Sequence, residues 1–171
     1  TLLWPDADSR TSRNNFKVTL NCLLNILDPE RMPRTSGTFI HKERTSLQFS
    51  TSEECYLDVR DFEQSVTRGR VLLAHHTAEG QALLQKGLAL YKGDYLCGEV
   101  LNEPQLQKRD RLKLLALNGG TELANSYVNQ KKYRQSIIWA EWILAIDPCW
   151  EEAYRILLIS YDIQKDIAMV K

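Results

Sequence analysis

Residues 119–161 read GGTELANSYVNQKKYRQSIIWAEWILAIDPCWEEAYRILLISY, and this stretch repeats itself. Leu123 and Leu157 stand 34 residues apart, as do Tyr127 and Tyr161. Apolar residues recur at helical spacing on both sides of Asp147-Pro148, and proline disfavours helix at the residue before it. Helices are therefore expected at about 104–130, 133–146 and 150–164. Working back toward the N-terminus, the same periodicity predicts helices at about 58–75 and 78–91. Helix pairs of this kind bury their apolar faces by stacking on one another.

The period, with Ala124, Ala140 and Pro148 where small and turn residues are wanted, resembles a tetratricopeptide (TPR) repeat. Residues 58–91 read as a more divergent first repeat with Ala82, Leu83 and Ala89 on its inner face. Lys92-Gly93-Asp94-Tyr95-Leu96-Cys97-Gly98 forms a longer connection to the next helix. Gly119-Gly120 lies inside that helix, where each glycine costs roughly 1 kcal/mol relative to alanine. Close packing against a neighbour is the expected compensation, and a kink the alternative.

The first 50 residues differ in character. They hold seven basic and five acidic groups, against 15 basic and 17 acidic in residues 51–171. Two units follow, 1–50 and 56–171, joined around Ser50–Tyr56. Asp8, Ser9, Thr11 or Ser12 can cap a helix that runs to Leu27, where Asp28-Pro29 stops it. Phe16, Leu20, Leu23 and Leu27 form one apolar stripe, and Arg13, Lys17, Asn21 and Asn25 form a polar one with Asn14 beside it. No acidic residue falls between Arg10 and Leu27. Asn can bond adenine bidentately, Arg can do so to guanine, and Lys neutralises phosphate. A polar loop, Pro29–Gly37, follows. Thr38–His41 and Ser46–Phe49 then flank Lys42-Glu43-Arg44-Thr45 as a hairpin with a basic tip. Helix, loop, hairpin is the order of the second half of a winged helix.

Composition narrows the function classes. The 22 Lys and Arg balance 22 Asp and Glu in 171 residues, which argues against a uniformly basic nucleic-acid coat. No apolar run approaches the ~20 residues of a membrane span. The opening Thr-Leu-Leu-Trp-Pro-Asp does not read as a signal peptide, so a soluble protein is expected. Cys22, Cys55, Cys97 and Cys149 lack metal-knuckle or redox spacing and read as reduced, partly buried thiols. His41, His75 and His76 read as helix-end or surface residues, and no P-loop, nucleophile elbow or zinc-protease string occurs. Glu53-Glu54 and Glu151-Glu152 read as helix-start charges. An enzyme, a cofactor and a metal are not expected. Lys108, Arg109, Arg111 and Lys113, interrupted by Asp110, read as a solvated face, with phosphate or an acidic partner as the alternative. Trp139, Trp142 and Trp150 read as packing aromatics, or as the lining of a groove for a partner helix with Tyr127 and Tyr161.

Several strings together carry a resemblance. Leu3-Trp4-Pro5-Asp6-Ala7-Asp8, then Arg13-Asn14-Asn15-Phe16-Lys17-Val18 and Leu20, resemble the end of the winged-helix domain in antibiotic-regulatory-type (SARP) bacterial activators. Tyr56-Leu57-Asp58-Val59 with Phe62-Glu63, and Leu88-Ala89-Leu90-Tyr91-Lys92-Gly93-Asp94-Tyr95-Leu96, resemble their bacterial transcriptional activator domain. Ala145-Ile146-Asp147-Pro148 with Glu151-Glu152-Ala153-Tyr154 resembles that domain's last repeat. The resemblance implies a cytoplasmic bacterial activator, mainly α in fold. Its TPR-like α-α superhelix would be preceded by the C-terminal part of a winged helix-turn-helix with a β-hairpin wing. It also implies promoter DNA as partner, with Arg13, Asn14, Asn15, Lys17, Thr19 and Asn21 on the reading helix and Lys42 and Arg44 on the wing. The helical domain would then contact the transcription machinery or a second copy of the chain.

Two departures from the family pattern stand out. Cys22, Leu24 and Asn25 occupy places where the family carries arginines, which implies fewer phosphate contacts. The chain also opens where the family's reading helix is about to begin, and its end stops where the family continues with another helix, so a fragment is expected. Competing readings are a TPR-type protein scaffold without DNA binding, and a regulatory domain of a larger signalling ATPase.

Overall fold

A computed structural model describes residues 3–4, 6–30, 32, 39–43, 46–49 and 56–169. The chain divides into two compact units, Thr1–Tyr56 and Leu57–Lys171. Among the described residues the fold is mainly α, with six helices and one two-stranded hairpin.

In the first unit, α1 spans Ser9–Leu27 and is followed by β1, Ile40–Lys42, and β2, Leu47–Phe49. The strands pair antiparallel, with Ile40 opposite Phe49, His41 opposite Gln48 and Lys42 opposite Leu47. The Glu43 amide donates to the Ser46 carbonyl at 2.9 Å, and the Phe39 and Phe49 rings stack at 6.4 Å. Lys42 thus belongs to a strand and not to the hairpin tip expected from the sequence, because backbone pairing continues one residue further. Arg44 and most of the Pro29–Gly37 loop lie outside the described residues.

The second unit contains α2 (Asp58–Leu73), α3 (Thr77–Leu88), α4 (Glu103–Asn129), α5 (Tyr133–Ile146) and α6 (Glu151–Met169). The first four lie within three residues of the sequence expectation, whereas α6 runs five residues past the expected end at 164. Asn102 and Gln105 form a reciprocal capping box at the start of α4, and Asp147-Pro148 ends α5. Consecutive helices pack on one another, and α4 also meets α2, α3 and α6.

Glycine sets the closest approaches. A Cβ on Gly80 of α3 would lie 2.5 Å from the Leu73 amide nitrogen, and one on Gly69 of α2 would lie 2.9 Å from the Leu84 nitrogen. The two backbones therefore cross where neither helix carries a side chain. The inner face of α3 is Gly80, Gln81, Leu84, Gly87 and Leu88. This corrects the expected inner face, since Ala82 and Ala89 are exposed and Leu83 is only half-buried. The contact stripe follows the glycines, which admit backbone, and not the alanines.

On α4, Gly119 and Gly120 are both buried within an unbroken helix. A Cβ on Gly119 would lie 2.8 Å from Val66 Cγ1, and one on Gly120 would lie 2.9 Å from Trp142 Cζ3. Two adjacent residues thus seat two different neighbours, and close packing is the outcome, not a kink. One cluster gathers Phe62, Val66, Leu84, Leu88, Leu112, Ala116, Leu123 and Tyr127. The other gathers Leu117, Ala124, Ala140, Ile143, Ala153 and Ile156. Each fully buried Leu or Ile contributes roughly 1.5–3 kcal/mol.

The 34-residue period has a buried polar counterpart. Gln81 Nε2 donates to Ser126 Oγ at 2.8 Å, and Ser160 Oγ, one period later, donates to Ser136 Oγ at 3.3 Å. Tyr127 is enclosed, with its hydroxyl accepting from Gln85 Nε2 at 2.7 Å, whereas Tyr161 is 44% exposed on the last helix.

The connection between α3 and α4 is held by the cations expected to face solvent. Arg109 donates to the carbonyls of Tyr95 and Leu96, each at 3.0 Å, and Lys108 Nζ sits 5.2 Å from the Tyr95 ring centroid. Arg111 pairs with Glu63, and Lys113 stands 3.9 Å from Asp147. The solvated-face reading holds for Arg111, whose side chain is 64% exposed, while Lys108, Arg109 and Lys113 are half-buried. All four have partners within the helical unit. Leu96 is left-handed at φ 52°, a strained setting for a side chain, and the Arg109 bonds fix the carbonyls on either side of it.

Gly80→Ala is expected to destabilise the helical unit by about 2–3 kcal/mol. Alanine's intrinsic helix preference of ~1 kcal/mol works in the opposite direction. Urea denaturation followed by circular dichroism measures the difference, and a variant as stable as the parent contradicts the backbone crossing.

Candidate nucleic-acid interface

The most chemically marked surface of the first unit is α1, about 28 Å long at 1.5 Å per residue. Asp8 starts it. One carboxylate oxygen accepts from the amides of Arg10 at 2.8 Å and Thr11 at 2.7 Å, and the other accepts from the Thr11 hydroxyl at 3.2 Å. The Thr11 amide chiefly holds the carboxyl below its ordinary pKa; desolvation opposes it, and the Thr11 hydroxyl and Arg10 amide add to the lowering. Ser12 is buried, with its hydroxyl donating to the Ala7 carbonyl at 3.3 Å. The Asp28 amide closes the other end on the Leu24 carbonyl.

Around this helix the side chains divide by type. Ser12, Phe16, Leu20, Leu23, Leu24 and Leu27 lie on one side. The apolar stripe is only partly covered, since Phe16 is 39% and Leu23 43% exposed. On the other side lie Asn14, Lys17, Asn21 and Asn25, while Arg13 stands at the border, roughly 20° of rotation from Leu24; all five are exposed. Neither Arg13 nor Lys17 has an ion-pair partner among the described residues. Thr19 is exposed but stands roughly 160° of helical rotation from Asn21, and half-buried Asn15 stands as far from Arg13. The helix therefore brings Arg13, Asn14, Lys17 and Asn21 together and sets Asn15 and Thr19 apart. Lys42 lies in β1 opposite Leu47, and Arg44 falls outside the described residues.

The residues proposed as a partner groove in the helical unit do not share one surface. Tyr127 is a core residue at 6% exposure. Trp139 and Trp142 meet edge to face at 5.4 Å, and both are half-buried against the two apolar clusters. Trp150 donates its indole N–H to Thr121 Oγ1 at 3.0 Å. Tyr161 is exposed, with its hydroxyl 3.5 Å from Glu141 Oε1.

Sequence reading missed a different recess of about 480 Å³ between α2 and α4, lined by Arg70, Leu73, Thr77, Glu122, Asn125 and Asn129 among others. Arg70 Nε donates to both Glu122 carboxylate oxygens, at 2.9 and 3.0 Å, which raises the guanidinium pKa. The only hint in the sequence is Glu122, Asn125 and Asn129 at helical spacing.

Catalytic groupings are sparse. Cys22, Cys97 and Cys149 are exposed and unbridged, which corrects their expected partial burial, and Cys55 is outside the described residues. His41, His75 and His76 are exposed. Among the described residues no three His, Cys, Asp or Glu groups come together as a metal site, and no helix is long and apolar enough to cross a membrane.

Residues 57–166, nearly the whole helical unit, match the sequence profile of the bacterial transcriptional activator domain. The chain belongs to that family. No curated protein matches the chain. The bacterial transcriptional activator domain is a transcription-regulator family, not an enzyme family. In this member its α3–α4 connection is the segment tied down by Arg109 and Lys108.

The cap of α1 should respond to acid. A carboxyl held low in the folded state adds stability that is present above its unfolded pKa and lost as pH falls through the lowered value. The Thr11 amide proton shift, followed by NMR from about pH 6 to 3, should titrate below the ordinary aspartate value. In Asp8→Asn, which caps without titrating, it should stay flat. A Thr11 shift that titrates equally in both proteins contradicts the cap.

Proposed function

We propose that the protein is a transcriptional activator that reads promoter DNA through α1. The hairpin β1–β2 acts as the wing, and the activator domain contacts the transcription machinery or a second copy of the chain. The observation that carries this reading is the acid-free face of α1, where Arg13, Asn14, Lys17 and Asn21 stand exposed together in a chain that also carries an activator domain. An α-helix fits the major groove, where carboxamides and guanidinium match base edges and ammonium groups match phosphates. Lys42 and Arg44 would meet the DNA backbone from the wing, and the protein would act in the bacterial cytoplasm. With only three basic residues on α1, binding would draw modestly on phosphate contacts.

A second reading, a protein-binding scaffold, draws support from the recess at Arg70 and Glu122. Its carboxamides and hydroxyl offer donors and acceptors suited to a peptide backbone.

The intact protein should bind its own upstream region selectively, with affinity falling as salt rises. Arg13→Ala with Lys17→Ala should weaken the complex. The pair should also lower the slope of log affinity against log salt by about 0.9 for each residue that neutralises a phosphate. Electrophoretic or fluorescence titrations at several salt concentrations check this. A folded protein that binds no DNA, or binds equally well with both changes, overturns the reading in favour of the scaffold.

A further inference from the structure

Between the polar residues of α1 stands one apolar side chain that the helix does not use. Asn14, Val18, Asn21 and Asn25 fall at i, i+4, i+7 and i+11, which places them on a single stripe. All four are exposed, and Val18 is 65% exposed. It lies across the helix from Phe16, Leu20 and Leu23, so packing in the first unit does not account for it. A β-branched residue on a solvated helix face is also unfavourable for the helix itself. Scattered exposed apolar residues are common on proteins. What distinguishes Val18 is its setting, a valine framed by three carboxamides.

We infer that Val18 reads the C5-methyl group of a thymine, within a site where the flanking asparagines meet adenine. This rests on the DNA-reading role proposed for α1. Thymine is the base that presents a methyl group in the major groove, and adenine is the base whose N6 and N7 pair with a carboxamide. Every A·T pair offers both features side by side. The reach of the side chains agrees. Asn and Val are short, so the stripe they share must come close to the base edges. Lys17 and Arg13 are long and lie roughly 100° and 140° around the helix from Val18, toward a phosphate strand. The stripe carries no charge, so it discriminates by shape and hydrogen bonding while its neighbours supply attraction. The inferred target is an A·T-rich half-site with one thymine that must keep its methyl.

The experiment uses duplexes enriched by the intact wild-type protein from a randomised DNA pool. Each thymine is replaced in turn by deoxyuridine, which removes the C5-methyl and nothing else. One thymine should stand out, its replacement weakening wild-type binding about fourfold, the worth of one buried methyl group. Val18→Ser should bind the thymine and deoxyuridine duplexes equally, at the weaker level. Its circular dichroism and melting should match wild type, because the position is exposed. Selective binding that depends on Arg13 and Lys17, yet shows no thymine preference or keeps it in Val18→Ser, overturns the inference and leaves the DNA-reading role standing. If no duplex is enriched, or if Arg13→Ala with Lys17→Ala changes nothing, the role and the inference fall together.

Discussion

The helical unit depends on two backbones meeting without side chains between them. Where α2 crosses α3, Gly69 faces Leu84 and Gly80 faces Leu73 at distances no Cβ could occupy. That approach carries Val66, Leu84 and Leu88 to the surface on which α4 lies, and α4 answers with Gly119 under Val66. The next residue, Gly120, turns about 100° around the helix and receives Trp142 and Ile143 of α5. One glycine pair thus fixes the first hairpin, and a second lets α4 serve as the partition between two apolar clusters. A larger residue at any of these points would push one helix away from its neighbour and open the cluster behind it.

Apolar contact alone leaves the stack free to slide, and the buried hydroxyls remove that freedom. Ser126 and Ser160 occupy equivalent places on α4 and α6, and each bonds to the preceding hairpin, to Gln81 in one case and Ser136 in the other. A buried polar group without a partner costs roughly 1–3 kcal/mol. A shifted register would break these bonds, so they select one alignment among many that bury similar area. The Arg109 contacts act likewise on the α3–α4 connection, holding Leu96 in a conformation it would not adopt freely.

How much of this could be read in advance follows from what the sequence states locally. Helix limits were legible where Asp8, Asp28-Pro29 and Asp147-Pro148 act within a turn of where they stand. The 34-residue period was legible because large side chains mark it. The inner face of α3 was not. Glycine contributes nothing to a hydrophobic pattern, so the pattern points to Ala82 and Ala89 where the contact is made by Gly80 and Gly87. The cations of α4 misled for a related reason. Arg109 and Lys108 look solvated until the chain folds back to bring them Tyr95 and Leu96, and Arg111 meets Glu63 only across α2. On α1 the polar face is evident from periodicity, while Val18 within it is not, because a lone apolar residue on a solvated face adds nothing to a helical pattern.

The distribution of tryptophan gives the two units different optical signatures. Trp4 belongs to the first unit, while Trp139, Trp142 and Trp150 sit in the second, where Phe62, Tyr91, Trp142 and Trp139 form a chain of ring contacts between 5.4 and 6.4 Å. Rings this close exchange excitation energy, and an edge-to-face indole pair lends the near-ultraviolet spectrum a band that ordinary isolated tryptophans lack. The chain therefore carries its own spectroscopic label. Light absorbed by Tyr91 drains into the indoles of α5 only while α2, α5 and the α3–α4 connection remain assembled. Emission from Trp4 follows the first unit.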